Sequence, residues 1–550
     1  MAVLGSPAIP RFDDYQQPVL GANAAVREWY VCVIEHAHAE SYDCFVPMGD
    51  LAPMAASLRE QKQYKAVYGT CNLWPLRTMA ERLAAYPPNV VCDPRSMASL
   101  AAMHTLRQRL NAFWPIAVAH HSLHAPNLDD QYLQWLVYGT SPGDAVCCAT
   151  ESARDAIKTR LAVLKERLAR NGVPTAEPPW LPIIPWSVDT ERFKPSDRVE
   201  ARRRLALSED PVMFLWLGRL SPATKADLRP LLVAFARAKR QASVPGLLVL
   251  AGEDRFGYSR FLSDEAHRLG VADALVCRPR VTDTCHYYAA ADVCVAPSDN
   301  VQEAFGLGVI ESLASGVPVI ASHWNGYKSL VTPEVGISIA TLWSREAAFA
   351  VSPTSYLGTN DANELAQDQF LLAQTVAVDV EALTRAISQL WANRDKREAL
   401  GHAARLRATR LWSRAAVAQK MDLLLEEMQL RAADGRSQAT RTRSAAPELD
   451  YGQVFDAYPS RWLGPEYTLH TSATEDEPGL LAHRMGLASS LDKEVLGLIM
   501  SAARHGIPLG SVASGANMDL ARLMTHALWL LKQGFVHVSA GAEMDNAQGV

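Results

Sequence analysis

The feature that most restricts the fold is an alternation of short apolar runs with helical patterns, which occurs twice along the chain. Helical stretches such as APMAASLREQ and LRTMAERLAAY separate the runs of the first series. Strands that alternate with helices are typical of a parallel, doubly wound sheet, so we predict an α/β domain over residues 1–185. Its predicted strands are EWYVCVIEH (28–36), YDCFVPM (42–48), KAVYGT (65–70), NVVCDP (89–94), PIAVAHH (115–121) and DAVCCATES (144–152).

The alternation restarts after a proline-rich connector, PPWLPIIPWSVDTERFKPSD (178–197). We predict a second Rossmann-like domain over residues 186–431, ending in helices. Two such units in tandem favour a cleft between them, and open parallel sheets bind ligands beyond the carboxyl ends of their strands. The predicted strands of this half are PVMFLWLGRL (211–220), GLLVLAGE (246–253), ALVCRPR (274–280), DVCVAPSD (292–299), VPVIAS (317–322) and GISIAT (336–341).

The tail of the chain has a different composition. Residues 432–450 read as a linker, and residues 451–550 as a small, mainly helical, winged-helix-like domain. This last segment carries six Lys/Arg and ten Asp/Glu, a net charge of −4. Because a DNA-binding module is ordinarily basic, we predict a protein partner, a peptide or dimerisation here, and no nucleic acid.

Net charge and cysteine spacing narrow the class of protein and its cellular compartment. The formal net charge of the 550 residues is −5, and the nine cysteines show no CxxC pair or regular spacing. The scattered cysteines are most simply interpreted as free thiols of a protein in a reducing compartment. The N-terminus lacks the pattern of a secretory signal. No run of 18 apolar residues occurs, so we expect a cytoplasmic protein. The basic amphipathic stretch 153–171 is a candidate for peripheral membrane contact, although a packed surface helix is the favoured interpretation.

Two carboxylates lie eight positions apart in EAFGLGVIESLASGVPVIAS, at Glu303 and Glu311. LGVIESLASG is typical of a helix, and helical side chains lean toward the helix N-terminus, so both acids could face one volume. Gly306 and Gly308 at the helix start allow an anion to approach the amides. A ligand with both phosphates and hydroxyls, such as a nucleotide sugar, fits both features. A helix-dipole role for Glu303 and a solvated Glu311 is the structural alternative.

A second cluster follows the predicted strand VMFLWLG. Gly218 and Arg219 end this strand, and Lys225 follows in GRLSPATK. Two cations at a strand's carboxyl end could neutralise a departing diphosphate without a metal, although a solvated charged loop is the commoner reading of such a pair. A dinucleotide fingerprint is disfavoured, because GLGVIE has Glu where the third glycine belongs.

Taken in order, IPWSVDTERF, GRLSPATK, AGED, AAADVCVAPSD and EAFGLGVIESLASGVPVIAS resemble the retaining glycosyltransferases of family 4 over about residues 20–430. The resemblance implies the GT-B fold, in which an acceptor domain and a donor domain face a cleft. It also implies a nucleotide-sugar donor, a glycan, glycolipid or polypeptide acceptor, and no metal or other cofactor.

The resemblance implies roles for the donor-side residues. Arg219 and Lys225, beside Gly218, match the pair that binds the diphosphate, and Glu303 matches the acid that holds the donor sugar. Glu311 matches the carboxylate that binds the ribose. The backbone of Phe305, Gly306 and Leu307 would line the sugar and phosphate, and the segment around Arg280 and Val281 would face the base.

On the acceptor side, AVAHHSLH resembles the strand end where many members place a histidine near the donor sugar. His121 fits this position best, and His120 is the second candidate. His120 and His124, four positions apart, could share a metal, but the family needs none. The chain departs from the usual pattern in the six-residue spacing of Arg219 and Lys225 and in the lack of an evident N-terminal glycine-rich loop, for which Gly21 is a faint candidate.

We therefore expect a metal-independent, retaining glycosyltransferase. A competing hypothesis is a GT-B protein without turnover that binds a nucleotide sugar and recruits a partner through residues 451–550. A synthase or phosphorylase that uses a disaccharide on the same scaffold is a further enzyme alternative.

Overall fold

The computed structural model divides the chain into two compact units, Met1–Ala446 and Pro447–Val550. The structure describes residues 1–4, 21–36, 39–60, 71–124, 128–279, 281, 283–350, 362–438, 457, 463–472, 476–485, 487 and 490–538.

The first half of the larger unit contains a six-stranded parallel sheet in the order β3-β2-β1-β4-β5-β6. Its strands are β1 (Ala2–Leu4), β2 (Tyr42–Val46), β3 (Cys71–Pro75), β4 (Val91–Asp93), β5 (Ile116–Ala119) and β6 (Ala145–Cys147). Its helices are α1 (Gly21–His36), α2 (Met48–Glu60), α3 (Met79–Ala85), α4 (Ser99–Arg109), α5 (Leu128–Tyr138) and α6 (Glu151–Arg170).

One predicted strand of this half is wrong. The run EWYVCVIEH lies in helix α1, and the first strand is instead the short β1 at the N-terminus. Residues 29–34 of this helix are all buried. Their sequence is therefore a continuous apolar run and lacks the alternation of apolar and polar residues that marks a helix with one buried side. A short apolar run cannot be distinguished from a buried strand by periodicity alone. The predicted strand KAVYGT lies outside the described residues.

The alternation of side chains along these strands explains which face of the sheet the cysteines occupy. Cys44, Cys92 and Cys147 join the core on one face of the sheet, while Phe45 and Ile116 join the core on the other. Successive strand residues point to opposite faces, so one face carries small residues and the other bulky ones. All nine cysteines are free thiols, and seven of them are buried.

The second half contains another six-stranded parallel sheet, in the order β12-β11-β10-β7-β8-β9, and all six of its predicted strands are confirmed. Its strands are β7 (Val212–Leu217), β8 (Gly246–Ala251), β9 (Leu275–Arg278), β10 (Val293–Ala296), β11 (Val319–Ser322) and β12 (Gly336–Ile339). Its helices are α7 (Arg198–Arg204), α8 (Arg229–Lys239), α9 (Tyr258–Leu269), α10 (Thr284–Ala290), α11 (Leu307–Ala314) and α12 (Tyr327–Leu330).

The remainder of the larger unit is mainly helical. A small antiparallel pair, β13 (Thr341–Trp343) and β14 (Val376–Val378), is followed by helices that end in α17, which packs against α1 of the first half. Helix α17 continues through residues 432–438, at the start of the predicted linker. The helices are α13 (Arg345–Ala350), α14 (Ala362–Ala373), α15 (Val380–Ala392), α16 (Arg394–Trp412) and α17 (Arg414–Gln438).

Helix α6 contains most of the predicted membrane-contact stretch 153–171. Its apolar stripe, Ile157, Leu161 and Leu164, is buried in the core of the first half. An interfacial helix needs an apolar face to insert into lipid, so this burial favours the packed surface helix. Among the described residues, no helix combines the length and apolar character needed to cross a bilayer.

The smaller unit is a helical cluster with its own core, which includes Leu469, Ile499 and Leu523. The winged-helix-like assignment stays a prediction. The helices are α18 (Asp476–Arg484), α19 (Lys493–His505), α20 (Leu509–Gly515) and α21 (Leu520–Lys532), and strands β15 (Leu469–His470) and β16 (His537–Val538) pair antiparallel.

Candidate active site

The second sheet reverses its strand order between β7 and β10, which are hydrogen-bonded neighbours. Ligands of open α/β sheets bind in the crevice that forms at the carboxyl ends of the strands at such a switch point. The loop after β7 carries Arg219 and Lys225, and the loop after β10 carries Glu303. The topology therefore brings together the two groups of charged residues that the sequence singled out.

Glu303 forms an ion pair with Lys225, whose Nζ donates to Oε2 of the carboxylate. The Tyr327 hydroxyl donates to the same oxygen at 3.3 Å. Only 10% of the Glu303 side chain is exposed, compared with 26% for Lys225. Burial alone would raise the pKa of Glu303, but the charge and hydrogen bond of Lys225 outweigh it and lower the pKa below its ordinary value. Glu303 is therefore held as a carboxylate.

The longer spacing between Arg219 and Lys225 is accommodated by a compact turn centred on Ser221. The Ser221 carbonyl accepts from the Lys225 amide at 3.1 Å, and its hydroxyl accepts from the Thr224 amide at 3.2 Å. From this turn Lys225 reaches Glu303.

Gly218 provides the space for this lysine. A Cβ at position 218 would lie 3.2 Å from the Trp216 ring and 3.3 Å from Cε of Lys225, closer than side chains ordinarily pack. The aliphatic part of Lys225 therefore lies over Gly218, and a larger residue would push it aside.

Arg219 lies beside the pair and is partly buried. Its guanidinium donates to the Thr224 carbonyl at 3.2 Å. Burial lowers the pKa of Arg219, while Glu253 and Glu303 act in the opposite direction. Arginine stays protonated in proteins, so Arg219 adds a second positive charge beside Lys225, which is paired with Glu303.

Asn300, which the sequence analysis missed, connects the two loops. Its side-chain amide donates to the Ala223 carbonyl, and its side-chain oxygen accepts from the Gln302 amide at 2.8 Å. It is 1% exposed. An Asn that bonds to the backbone two residues later is a known turn signal, so DNVQ could have indicated the turn but not the contact with the other loop.

The loop after β11 supports Glu303 from the other side. The Asn325 side-chain amide donates to the Glu303 carbonyl, and the Trp324 indole donates to the Asn300 carbonyl at 3.0 Å. Tyr327 contributes its hydroxyl to the Glu303 carboxylate, as described above. These residues also escaped the sequence analysis, because the segment HWNGYK has no charge pattern that points to a site.

Helix α11 begins at the end of the loop after β10, with Gly306 at its N-cap in a left-handed conformation (φ +114°). A Cβ there would lie 2.4 Å from the Tyr327 ring, so both the conformation and the space require glycine. The Phe305 side chain is buried in the core, and Leu307 is the first helical residue. The first amides of a helix lack partners within it, which leaves the backbone at Leu307 able to bind an acceptor group.

Glu311 lies in the second turn of α11, the helix predicted for LGVIESLASG. The Tyr288 hydroxyl donates to its Oε2 at 3.1 Å and also lies 3.0 Å from the Gly308 carbonyl. Burial raises the pKa of Glu311 to about 7, against the opposing effects of the Tyr288 hydrogen bond and the Arg192 charge. This acid therefore titrates near neutral pH.

Only part of the segment predicted to face the base lies within the described residues. Val281 is half-buried and packs against the core, while Arg280 lies outside the described residues.

The two histidines after β5 differ in their surroundings. His120 is 1% exposed, and its Nε2 accepts from the Ala149 amide at 3.0 Å while Nδ1 donates to the His121 carbonyl at 3.0 Å. Burial lowers its pKa to about 4. Both ring nitrogens are engaged within the protein, which favours a structural role for His120 over a ligand role with His124.

His121 is the more accessible of the two. Its Nε2 contacts the Pro94 carbonyl at 2.8 Å, and its ring stacks on Trp186 of the connector with centroids 5.1 Å apart. Burial lowers the pKa of His121, which favours the neutral ring. Because Nε2 is committed to the carbonyl, Nδ1 is the ring nitrogen that remains for a ligand.

The start of helix α6 contacts two loops of the second half. The hydroxyl of Thr150, which follows β6 and caps α6, donates to the Ala304 carbonyl at 3.1 Å. The Ser152 hydroxyl donates to the Asn325 carbonyl at 3.0 Å. The Glu303 loop therefore lies against the strand end of the first half.

Comparison with known proteins supports this architecture. Residues 197–350 match the family model described as glycosyl transferases group 1. The HepE protein of Anabaena, crystallised in complex with UDP, has a similar structure at a TM-score of 0.50 and 15% identity, over 78% of this chain and 99% of HepE. With the two parallel sheets of the larger unit, this likeness confirms the predicted GT-B fold.

Two curated relatives are similar in sequence over a limited region. D-inositol 3-phosphate glycosyltransferase of Geodermatophilus obscurus is 37% identical over 183 residues, which are 32% of this chain and 39% of the relative. The Thermobifida fusca protein of the same name is 39% identical over 152 residues, or 26% of this chain and 34% of the relative. The chain thus spans less than half the length of these relatives.

Proposed function

We propose that the protein transfers a sugar from a nucleotide-sugar donor to an acceptor hydroxyl, with retention of anomeric configuration. The match of residues 197–350 to the family model of glycosyl transferases group 1 supports this proposal. The observation that carries the proposal is the pairing of Lys225 with Glu303 beside Arg219 at the β7/β10 switch point. This arrangement offers cations for a diphosphate and a carboxylate for sugar hydroxyls in one place.

The ion pair suggests how the donor would bind. In the structure, Lys225 and Glu303 neutralise each other. A bound nucleotide sugar would separate them, because its diphosphate attracts Lys225 and its sugar hydroxyls donate to Glu303. Two ligand contacts would thus replace one internal contact, and no buried charge would be left without a partner.

The chemical step follows from this placement. The acceptor oxygen bonds to the anomeric carbon while the bond from that carbon to the diphosphate oxygen breaks. The acceptor proton passes to an oxygen of the leaving phosphate, which is on the same face of the sugar. Arg219 and Lys225 stabilise the negative charge that develops on the diphosphate, and this stabilisation lowers the barrier.

The first half would supply the acceptor side. His121 lies at the carboxyl end of β5, and Thr150 at the end of β6 contacts the Glu303 loop. We propose that Nδ1 of His121 accepts a hydrogen bond from a hydroxyl of the bound sugar. Glu311 would bind the ribose of the donor, and the Val281 segment its base.

Residues 451–550 would have a separate role. Their net charge of −4 favours a protein or peptide partner, or dimerisation. Removal of residues 447–550 would leave donor binding intact, because every donor-side residue named above lies in the larger unit. Loss of nucleotide affinity on truncation would contradict this assignment.

The test is release of nucleoside diphosphate from a panel of UDP-, GDP- and ADP-sugars with EDTA present. UDP-sugars come first, because the structurally similar HepE was crystallised with UDP, and D-inositol 3-phosphate is one acceptor to include. We expect release from one donor by the native protein and by the exposed control Glu334→Gln, but not by Glu303→Gln. NMR of the product would show retention or inversion at the anomeric carbon.

Silence with every donor and acceptor, together with normal donor binding, would favour the protein without turnover. Absence of donor binding as well would refute the proposed function.

A further inference from the structure

A cluster of three possible metal ligands lies just after the Val281 segment. Asp283, Cys285 and His286 are located where the segment after β9 enters helix α10. A carboxylate oxygen, the thiol sulfur and an imidazole nitrogen all lie within 4.8 Å of one another. The Cys285 Sγ is 3.0 Å from Oδ1 of Asp283, and the His286 Nε2 is 3.7 Å from Oδ2.

We propose that Asp283, Cys285 and His286 form a binding site for a soft divalent cation of the Zn²⁺ type. The set of one sulfur, one nitrogen and one oxygen ligand suits Zn²⁺, which commonly takes three protein ligands and leaves a fourth position to water. A thiol and an imidazole are poor ligands for Mg²⁺ or Ca²⁺, which prefer oxygen. All three residues are half-buried, so a cation would retain contact with solvent.

The local fold favours convergence of the three side chains. Asp283 is the N-cap of α10, and its carboxylate accepts from the Cys285 amide at 3.3 Å. Cys285 and His286 lie in the first turn of the helix. The ligands are therefore held by one short segment, and closing the site requires small rotations of side chains. On binding, the Cys285 thiol loses its proton to solvent and a sulfur–metal bond forms.

A competing cation occupies part of the site. The Arg192 guanidinium donates to Oδ1 of Asp283 at 3.3 Å, and the two side chains form an ion pair. A metal ion would compete with this guanidinium for the carboxylate and be repelled by its charge. Removal of Arg192 would therefore strengthen metal binding. A purely structural cluster, such as a helix cap with an adjacent ion pair, predicts no such gain.

The test uses Co²⁺ as a spectroscopic probe and Zn²⁺ as its competitor, with the full chain free of any affinity tag. We expect one equivalent of Co²⁺ to give sulfur-to-cobalt charge-transfer absorption, which Zn²⁺ abolishes and Mg²⁺ does not. Cys285→Ser should remove the band, and His286→Ala should weaken binding by about tenfold or more. Arg192→Ala should tighten it.

Cys277→Ser is the matched control, because Cys277 is also a half-buried free thiol but lies in β9 outside the cluster. This variant should bind Co²⁺ like the native protein. Unfolding midpoints of all variants should match that of the native protein, so that loss of the band reports loss of the site. An absent band in the native protein, an equal band in Cys285→Ser, or weaker binding in Arg192→Ala would each overturn the proposal.

Discussion

Glu303 and Glu311 are the same residue type, eight positions apart, yet their surroundings have opposite effects. Burial disfavours the charged form of both, but Lys225 reverses the effect for Glu303 and lowers its pKa. Glu311 has a neutral Tyr288 hydroxyl as its direct partner, and its pKa rises to about 7. Contact with a cation, more than burial, therefore decides which acid is permanently charged. The difference suits Glu303 to a role as a permanently charged acceptor for sugar hydroxyls, while Glu311 titrates near neutral pH.

The largest effect is expected for Glu303→Gln. The amide is nearly isosteric but cannot accept hydroxyls with a full negative charge, so we expect kcat/KM for transfer to fall by about 100-fold or more. Steady-state kinetics with the active donor would measure this loss. The exposed control Glu334→Gln should behave like the native protein, and a near-native rate for Glu303→Gln would remove this residue from the mechanism.

Lys225→Met would make the surroundings of Glu303 resemble those of Glu311. The carboxylate would lose its cation while remaining buried, so its pKa should rise, and the diphosphate would lose one counter-charge. We expect about a tenfold to 100-fold loss of kcat/KM. The residual activity should increase with pH, as more Glu303 becomes ionised.

Lys328→Met is the matched control, since Lys328 is exposed on α12. A pH profile of residual activity in Lys225→Met that follows the native profile would show that Lys225 does not control the charge of Glu303.

Donor affinity should depend on pH through Glu311. With a pKa of about 7 in the free protein, Glu311 is mostly protonated at lower pH and accepts ribose hydroxyls most strongly above this value. The affinity for a nucleotide sugar should therefore increase as the pH rises through about 7, by up to about tenfold. Both phosphates of such a donor are already ionised, so they add no pH dependence of their own in this range.

Calorimetric titrations across this pH range would measure the change. Glu311→Gln should bind more weakly at high pH and show a flat profile. An unchanged slope in this variant would assign the pH dependence to another group.

The smallest effect is expected for Tyr288→Phe. This change removes the hydroxyl that donates to Glu311 at 3.1 Å and lowers its pKa. The midpoint of the pH dependence of donor affinity should move upward by less than about one pH unit, in line with the net value of one hydrogen bond. Tyr287→Phe, on the same helix, is the control. A downward shift would contradict the assigned role of the hydroxyl.

The sequence predicted the second half of the fold better than the first. The runs around Val212–Leu217 and Val293–Ala296 are short, apolar and bounded by turns, and the residues at their carboxyl ends do meet. Helix α1 was mistaken for a strand because it is buried nearly all round. Local periodicity reports one-sided burial and becomes ambiguous when a helix is covered on most sides.

The supporting residues of the site could not be predicted for a different reason. Asn300, Asn325 and Tyr327 act through contacts with loops far away in sequence, such as the Ala223 carbonyl and the Glu303 carboxylate. Uncharged residues with such roles leave no spacing pattern in one sequence. Charged residues at strand ends can be recognised from the sequence as site candidates, because the topology of a parallel sheet places the carboxyl ends of its strands at one edge.

The central claim is that the donor separates Lys225 from Glu303, and calorimetry with two ligands tests it most directly. The native protein and Glu303→Gln would each be titrated with the nucleotide sugar and with its nucleoside diphosphate, which lacks the sugar. The account predicts that Glu303→Gln binds the nucleotide sugar more weakly but binds the diphosphate equally well or more tightly, because Lys225 has lost its internal partner. An equal loss of affinity for both ligands would contradict the account.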